Sequence, residues 1–181
     1  RVFGDDYVDL KISQTYETGV NSEFASLEPT RIRLNWRRRT QEGFGYYVSI
    51  SHSGEDFNPG VGFEFRESYR AYSTQLQWGW LPGENSKLFS HNVALKFLNF
   101  YSAITGKLES GSFGPEWKFQ TKNFLMGSIE IKRLIEHVDE EFSFSDDALV
   151  PVGEYEFYGF EGTLITPMTK KLYAEMKLEG G

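Results

Sequence analysis

With 181 residues and 39% hydrophobic content, the chain is long enough for one domain with a sizeable core and short for two. Lys and Arg total 19 against 26 Asp and Glu, a net charge of −7. That is the wrong sign for a surface that collects phosphates, so no nucleic-acid partner is expected. With no cysteine, disulfide frameworks, thiolate zinc sites and cysteine nucleophiles are excluded together.

No run of 18 or more apolar residues occurs, which excludes a transmembrane helix. A transmembrane barrel leaves no such run, because its strands alternate. Phe, Tyr and Trp make up 17% of the chain, in segments also rich in Val, Ile and Thr, and this enrichment favours strands. The chain begins at Arg1 with neither an initiator Met nor a signal peptide, so a mature product or an excised piece of a longer protein is expected.

Alternation with a period of two recurs along the chain in stretches of about ten residues separated by Gly, Pro, Asn and Asp. From Asp6 to Glu17, Val8, Leu10 and Ile12 oppose Asp9, Lys11 and Ser13. From Thr30 to Thr40, Ile32, Leu34 and Trp36 oppose Arg31, Arg33, Asn35 and Arg37. After Gln41-Glu42-Gly43, Phe44, Tyr46, Val48 and Ile50 face away from Gly45, Tyr47, Ser49 and Ser51, so these two segments read as a hairpin. Ser68 to Leu81 alternates Tyr72, Thr74, Leu76, Trp78 and Trp80 with Ser73, Gln75, Gln77 and Gly79, then breaks at Pro82-Gly83. Lys87 to Asn99 carries Phe89, Val93, Leu95 and Phe97 on one side. Tyr101 to Thr121 is less regular, although Trp117 and Phe119 alternate with Glu116, Lys118 and Gln120. Phe124 to Val138 sets Ile129 and Ile131 against Glu130 and Lys132, and an acidic loop follows from Asp139 to Asp147. Glu154 to Ile165 and Lys170 to Glu179 close the series across Thr166-Pro167-Met168-Thr169. The sequence therefore predicts an all-β, up-and-down antiparallel meander of nine or ten strands in one domain spanning residues 1–181, as an outer-membrane-type β-barrel or a segment of one.

Alternation alone also fits a soluble barrel or sandwich that turns its apolar face inward. Strand length and charge separation favour the membrane form. Crossing a bilayer takes about 9 to 11 tilted residues, whereas soluble strands centre on about five or six. The apolar faces are nearly free of charge, and aromatics near strand ends, such as Phe44, Tyr46, Trp78 and Trp80, suit an interfacial girdle. The same aromatics suit a packed core equally well.

The segment from Gly54 to Arg70, reading GEDFNPGVGFEFRESYR, resembles the GxDFNPxVGFxxRxxYR signature of a bacterial family. In that family a carbohydrate-binding-like domain of the family-nine type precedes a C-terminal domain of unknown function. Gly106-Lys107-Leu108-Glu109, Val150-Pro151-Val152-Gly153-Glu154-Tyr155 and Thr166-Pro167 follow in the order found in the same domain. The resemblance covers most of the chain and is weakest over residues 1 to 40. It implies an outer-membrane barrel in a Gram-negative bacterium, with further hairpins after Gly180-Gly181, and no known reaction. Glu64 and Phe65 depart from the more basic versions of the motif.

Candidate sites are few. Asp56, Phe57, Asn58, Pro59, Gly60, Gly62, Phe63 and Arg66 form a structural turn motif, in which Asn-Pro biases the chain away from helix and the glycines admit positive φ. Arg31, Arg33, Arg37 and Arg39, with Arg38 between the last two, form the one basic cluster. It reads first as pairing with acids on neighbouring strands, and otherwise as lining a lumen or meeting lipopolysaccharide phosphates. His52, His91 and His137 lack the close spacing of a metal site. Asp5, Asp6, Asp139, Glu140, Glu141, Asp146 and Asp147 lack the ligand spacing of a calcium loop. No phosphate loop, nucleophile elbow or His-Glu-x-x-His helix occurs, so no cofactor, metal or catalytic residue is expected.

The expectation is a non-enzymatic outer-membrane domain for transport, or for anchoring and displaying a glycan-binding module, with membrane lipid or detergent as its partner. Glycans would be reached through an N-terminal domain outside this chain. The alternatives are a soluble lipocalin-like barrel binding a hydrophobic small molecule and a carbohydrate-active or carbohydrate-binding sandwich stacking sugars on Trp78, Trp80 or Trp117.

Overall fold

A computed structural model describes residues 4–16, 26–60, 66–145, 148–167 and 173–181. Gly62, Phe63, Asp146, Asp147, Met168 and Thr169 of the last expected connection, and residues 170–172 of the last expected strand lie outside the described residues. Among the described residues all regular structure is β. The strands are β1 (Asp6–Gln14), β2 (Thr30–Arg38), β3 (Gly43–Ser53), β4 (Tyr69–Trp80), β5 (Leu88–Ser102), β6 (Leu108–Thr121), β7 (Met126–Val138), β8 (Phe142–Ser145), β9 (Ala148–Val150), β10 (Gly153–Ile165) and β11 (Glu175–Gly180).

Nine of these pair in the order β1-β2-β3-β4-β5-β6-β7-β10-β11, and β8 and β9 form a separate two-stranded ribbon. Every pairing in the large sheet is antiparallel, so the chain meanders up and down as its alternation predicts. Two details differ from the expectation. The irregular stretch after Asn99 resolves into an extension of β5 to Ser102, a turn over residues 103–107, and β6. The acidic loop after Val138 contains the β8–β9 ribbon, which Phe142, Leu149 and Val150 nucleate despite the flanking acids. Four residues are too few to display a period, and this hid the ribbon.

The connections differ between the two ends of the sheet. At one end, residues 39–42, 81–87, 122–125 and 166–174 join successive strands; at the other, residues 15–29, 54–68, 103–107 and 139–152 do so. The β2–β3 turn relies on Gly43 at φ +77°, a left-handed conformation that disfavours a Cβ. That turn folds back over the sheet, so a methyl group on Gly79 would collide with the Gln41 carbonyl.

Aromatic rings cover glycines across the ladder. A Cβ on Gly127 would strike the ring of Phe119, its partner in register, and one on Gly180 would strike the ring of Phe160. Such pairs recover packing that a strand glycine forfeits.

Candidate functional site on the concave face

The register places the two faces of every strand. Val8, Leu10 and Ile12 share a face with Leu34, Trp36, Val48, Ile50, Leu76, Trp78, Phe97, Trp117, Ile131 and Phe160. Most of these apolar side chains are exposed, Ile12 at 64% and Ile131 at 56%, while Val48 and Phe97 are half-buried. The opposite face carries Ser49, Ser51, Ala71, Ala94, Ser110 and Glu116, all buried, with Ala94 at 1% and Glu116 at 5%. The usual arrangement of a water-soluble sheet is thus inverted.

Curvature explains the burial. Thr40 and Gln41 of the β2–β3 turn line a cavity of about 350 Å³ together with Lys118 of β6, Ser128 of β7 and Thr163 of β10. Strands far apart in the sheet order meet around one space, so the sheet curls toward its polar side. Small residues occupy the inside of the curl, where room is least.

Charges on the concave face are mostly paired. Lys96 Nζ lies 2.7 Å from Glu116 Oε1 and 3.2 Å from Glu130 Oε2, and Lys118 Nζ lies 2.9 Å from Glu116 Oε2. Lys132 and Lys177 both approach Glu161, each at 3.5 Å. Asn35 donates to Asp9 at 3.1 Å and accepts from the Tyr47 hydroxyl at 3.0 Å. Glu116 is buried and depends on its lysines, so Lys96→Met is expected to lower stability by about 1–3 kcal/mol. The cost stays below that of a fully buried pair because Lys118 remains. Urea denaturation of the single variant, and of Lys96→Met combined with Glu116→Gln, checks this, since the double variant should recover part of the loss.

The arginine cluster divides between faces. Arg31, Arg33 and Arg37 lie on the concave face, opposite Ser13, Lys11 and Tyr7 of β1 and Ser53, Ser51 and Tyr47 of β3. Arg31 Nη2 donates to the Tyr69 hydroxyl at 3.3 Å. Arg39 follows the end of β2, with its guanidinium 4.8 Å from the Tyr7 ring centroid. Arg38 lies on the apolar face, where its Nε donates to Asp6 Oδ1 at 2.7 Å and its Nη2 to Oδ2 at 3.2 Å. Alternation marks Arg38 as out of place, but Asp6 is far away in sequence and only the register reveals the pair.

The described part of the turn motif docks on the chain around the start of β2. Gly54 N donates to the Thr30 carbonyl and Asp56 N to that of Glu28, each at 3.0 Å, while Asn58 N donates to Thr15 Oγ1 at 3.3 Å. Phe57 is buried beneath this strap, at 9% accessibility. Gly60 has no positive φ, contrary to expectation, and its Cβ position is open; the turn is set by Asn58-Pro59 and the strap. Arg66 reaches across to Glu109 Oε2 at 2.9 Å and stacks 4.5 Å from the Phe100 ring centroid.

The histidines are dispersed. His52 lies 3.3 Å from the Leu27 carbonyl, His91 stacks on Trp80 with centroids 4.9 Å apart, and His137 lies 3.1 Å from Glu154. Among the described residues, Asp5, Asp6, Asp139, Glu140 and Glu141 included, no group of three or more His, Asp or Glu is placed to hold a metal ion.

The outer face carries charge at Asp6–Arg38, at Arg70, and at Arg133–Glu156 with Glu154 beyond it, and the first and third of these are related in position. One hydrogen-bonded row runs Val8, Trp36, Val48, Thr74, Phe97 and Phe113, then reaches Arg133, which pairs with Glu156 at 2.6 Å. The adjacent row begins with the charged pair Asp6 and Arg38, then runs Tyr46, Leu76, Leu95 and Pro115. The uncharged band therefore crosses the rows obliquely. It sits nearer the 15–29 end at β1 and nearer the 122–125 end at β7. No family model, curated protein or solved structure matches the chain.

Proposed function

We propose that the chain is a non-enzymatic membrane β-barrel segment of the outer-membrane type, with its apolar face toward lipid and its concave face lining a wet lumen. The inversion of burial carries this reading, because large exposed apolar side chains opposite a buried polar face suit hydrocarbon outside and water inside. The oblique band supports it. Strands of a membrane barrel tilt by about 35–45°, so a bilayer plane cuts the hydrogen-bonded rows at an angle. β5, at 15 residues, and β6, at 14, exceed the length needed to span. Trp36, Phe44, Tyr46, Trp78, Trp80 and Trp117 on the outer face suit an interfacial belt.

The resemblance to the C-terminal domain of glycan-binding bacterial proteins agrees with anchoring or transport, in the outer membrane, for a module outside this chain. The lipocalin-like alternative needs an apolar interior, and the concave face is hydroxylic and charged.

The test is partition of the expressed chain between plain buffer and detergent micelles, with far-UV circular dichroism and heat-modifiable gel migration on each fraction. The expected result is a β-rich, heat-modifiable species in detergent alone. A monodisperse β-protein in plain buffer would overturn the reading.

A further inference from the structure

The concave face is electrically lopsided. Over β1 and β2 it carries Lys11, Arg31, Arg33 and Arg37 against Asp9 alone, and Asp9 is already bonded to Asn35. The next two strands present no charge to this side, only groups such as Tyr47, Ser49, Ser51, Ser73 and Gln75. The acids Glu116, Glu130, Glu136 and Glu161 stand beyond, on β6, β7 and β10. Lys11 and Arg33 are direct cross-strand partners, a like-charge pair that is unfavourable by itself. Among the described residues neither side chain makes a hydrogen bond or an ion pair. Arg33 and Arg31 border a cavity of about 380 Å³ whose other walls include Ser49, Ser51, Tyr69 and Arg66. Beside it in register, between Arg31 and Tyr69, the Ser53 hydroxyl is fully buried and has no hydrogen-bond partner among the described residues.

We infer that this cavity binds a dissolved oxyanion, a phosphate, sulfate or carboxylate group, with Arg33 as its principal ligand. A guanidinium offers two parallel donors to such a group, and serine and tyrosine hydroxyls complete the coordination without adding charge. The bound anion offsets the Lys11–Arg33 repulsion. This deepens the lumen reading by naming the solute class that the β1–β2 wall selects.

The experiment titrates inorganic phosphate into the chain folded in zwitterionic detergent, following the ³¹P linewidth, for wild type, Arg33→Gln and Lys118→Gln. Wild type and Lys118→Gln are expected to show saturable binding, and Arg33→Gln to weaken it about tenfold or more. Without phosphate, Arg33→Gln is expected to have an equal or higher urea midpoint, because a repulsion is removed. A lower midpoint would assign Arg33 a merely structural role. Equal phosphate binding by wild type and Arg33→Gln, or no saturable binding, would overturn the inference. A parallel arm replaces phosphate with phosphatidic acid in the micelles; binding seen there and not with free phosphate would mark a lipid-headgroup site and overturn the dissolved-anion assignment. Circular dichroism and heat-modifiability on the same samples show whether the chain is folded in detergent. Loss of phosphate binding by folded protein therefore defeats this inference and leaves the barrel reading standing.

Discussion

Leu76→Arg is expected to cost about 2–4 kcal/mol of folding stability in lipid vesicles, whereas Gln75→Arg, one residue earlier, should change it by no more than about 1 kcal/mol. Leu76 lies midway along β4, between Tyr46 and Leu95 in register, and is 41% accessible. A leucine that exposed on a water-soluble protein would accept arginine almost without effect. Facing hydrocarbon, the same guanidinium must be desolvated or must deform the bilayer to reach the headgroups. Gln75 faces the concave side, where its Nε2 donates to Gln77 Oε1 at 2.9 Å and where other charges already sit. The contrast between adjacent residues separates lipid from water better than either substitution alone. Urea titration of vesicle-folded protein measures it, and equal midpoints for the two variants would remove the case for a lipid-facing surface.

Much of this fold was legible because a strand's period of two needs no distant information. Val8, Leu10 and Ile12 announce their shared face locally, and the register agrees. Which face lies inside the curl is a property of the whole sheet, and alternation is silent on it. A hint was available in side-chain size, since Ser49, Ser51, Ala71, Ala94 and Ser110 on the polar face are small while the apolar face carries Trp36, Trp78 and Trp117. The charged pairs were out of reach for a different reason. Arg38 with Asp6 and Arg66 with Glu109 join residues brought together only by strand register and loop path. The turn motif was read as a corner, but its docking onto Thr30, Glu28 and Thr15 is tertiary, and so was the geometry that left Gly60 in an ordinary conformation.

The strand count constrains how such a sheet can close. Among the described residues β1 and β11 are the two edges, and an odd number of antiparallel strands makes them run in the same direction. Joining them directly would create a parallel pair in an otherwise antiparallel sheet. A wholly antiparallel barrel that contains these nine strands therefore includes an odd number of others, and both edges expose backbone groups ready to pair with them.

Gly114→Ala is expected to destabilise the folded chain by about 1–3 kcal/mol or more, and Gly162→Ala to leave it unchanged or raise its stability by about 1 kcal/mol. Both glycines lie within long strands, so conformational propensity alone favours alanine at each. Space decides the sign. Pro115 has no N–H to donate, and the β6–β7 register passes from Phe113–Arg133 to Glu116–Glu130 without pairing Gly114 or Pro115. There the backbones press together: a Cβ on Gly114 would collide with the Ile131 carbonyl oxygen and stand 2.8 Å from both the Ile131 carbonyl carbon and the Lys132 Cα. Backbone atoms cannot swing aside as a side chain can, so β6 and β7 would have to separate where the Lys96–Glu116–Glu130 cluster bridges them. Gly162 has nothing within 4 Å of its Cβ position and lies between Ile129 and Leu178 in register on the outer face. A methyl there adds apolar surface to an apolar band. Urea midpoints of the two variants measured side by side test the argument, and a Gly114→Ala midpoint equal to that of wild type would show that β6 and β7 do not approach as closely as this geometry requires.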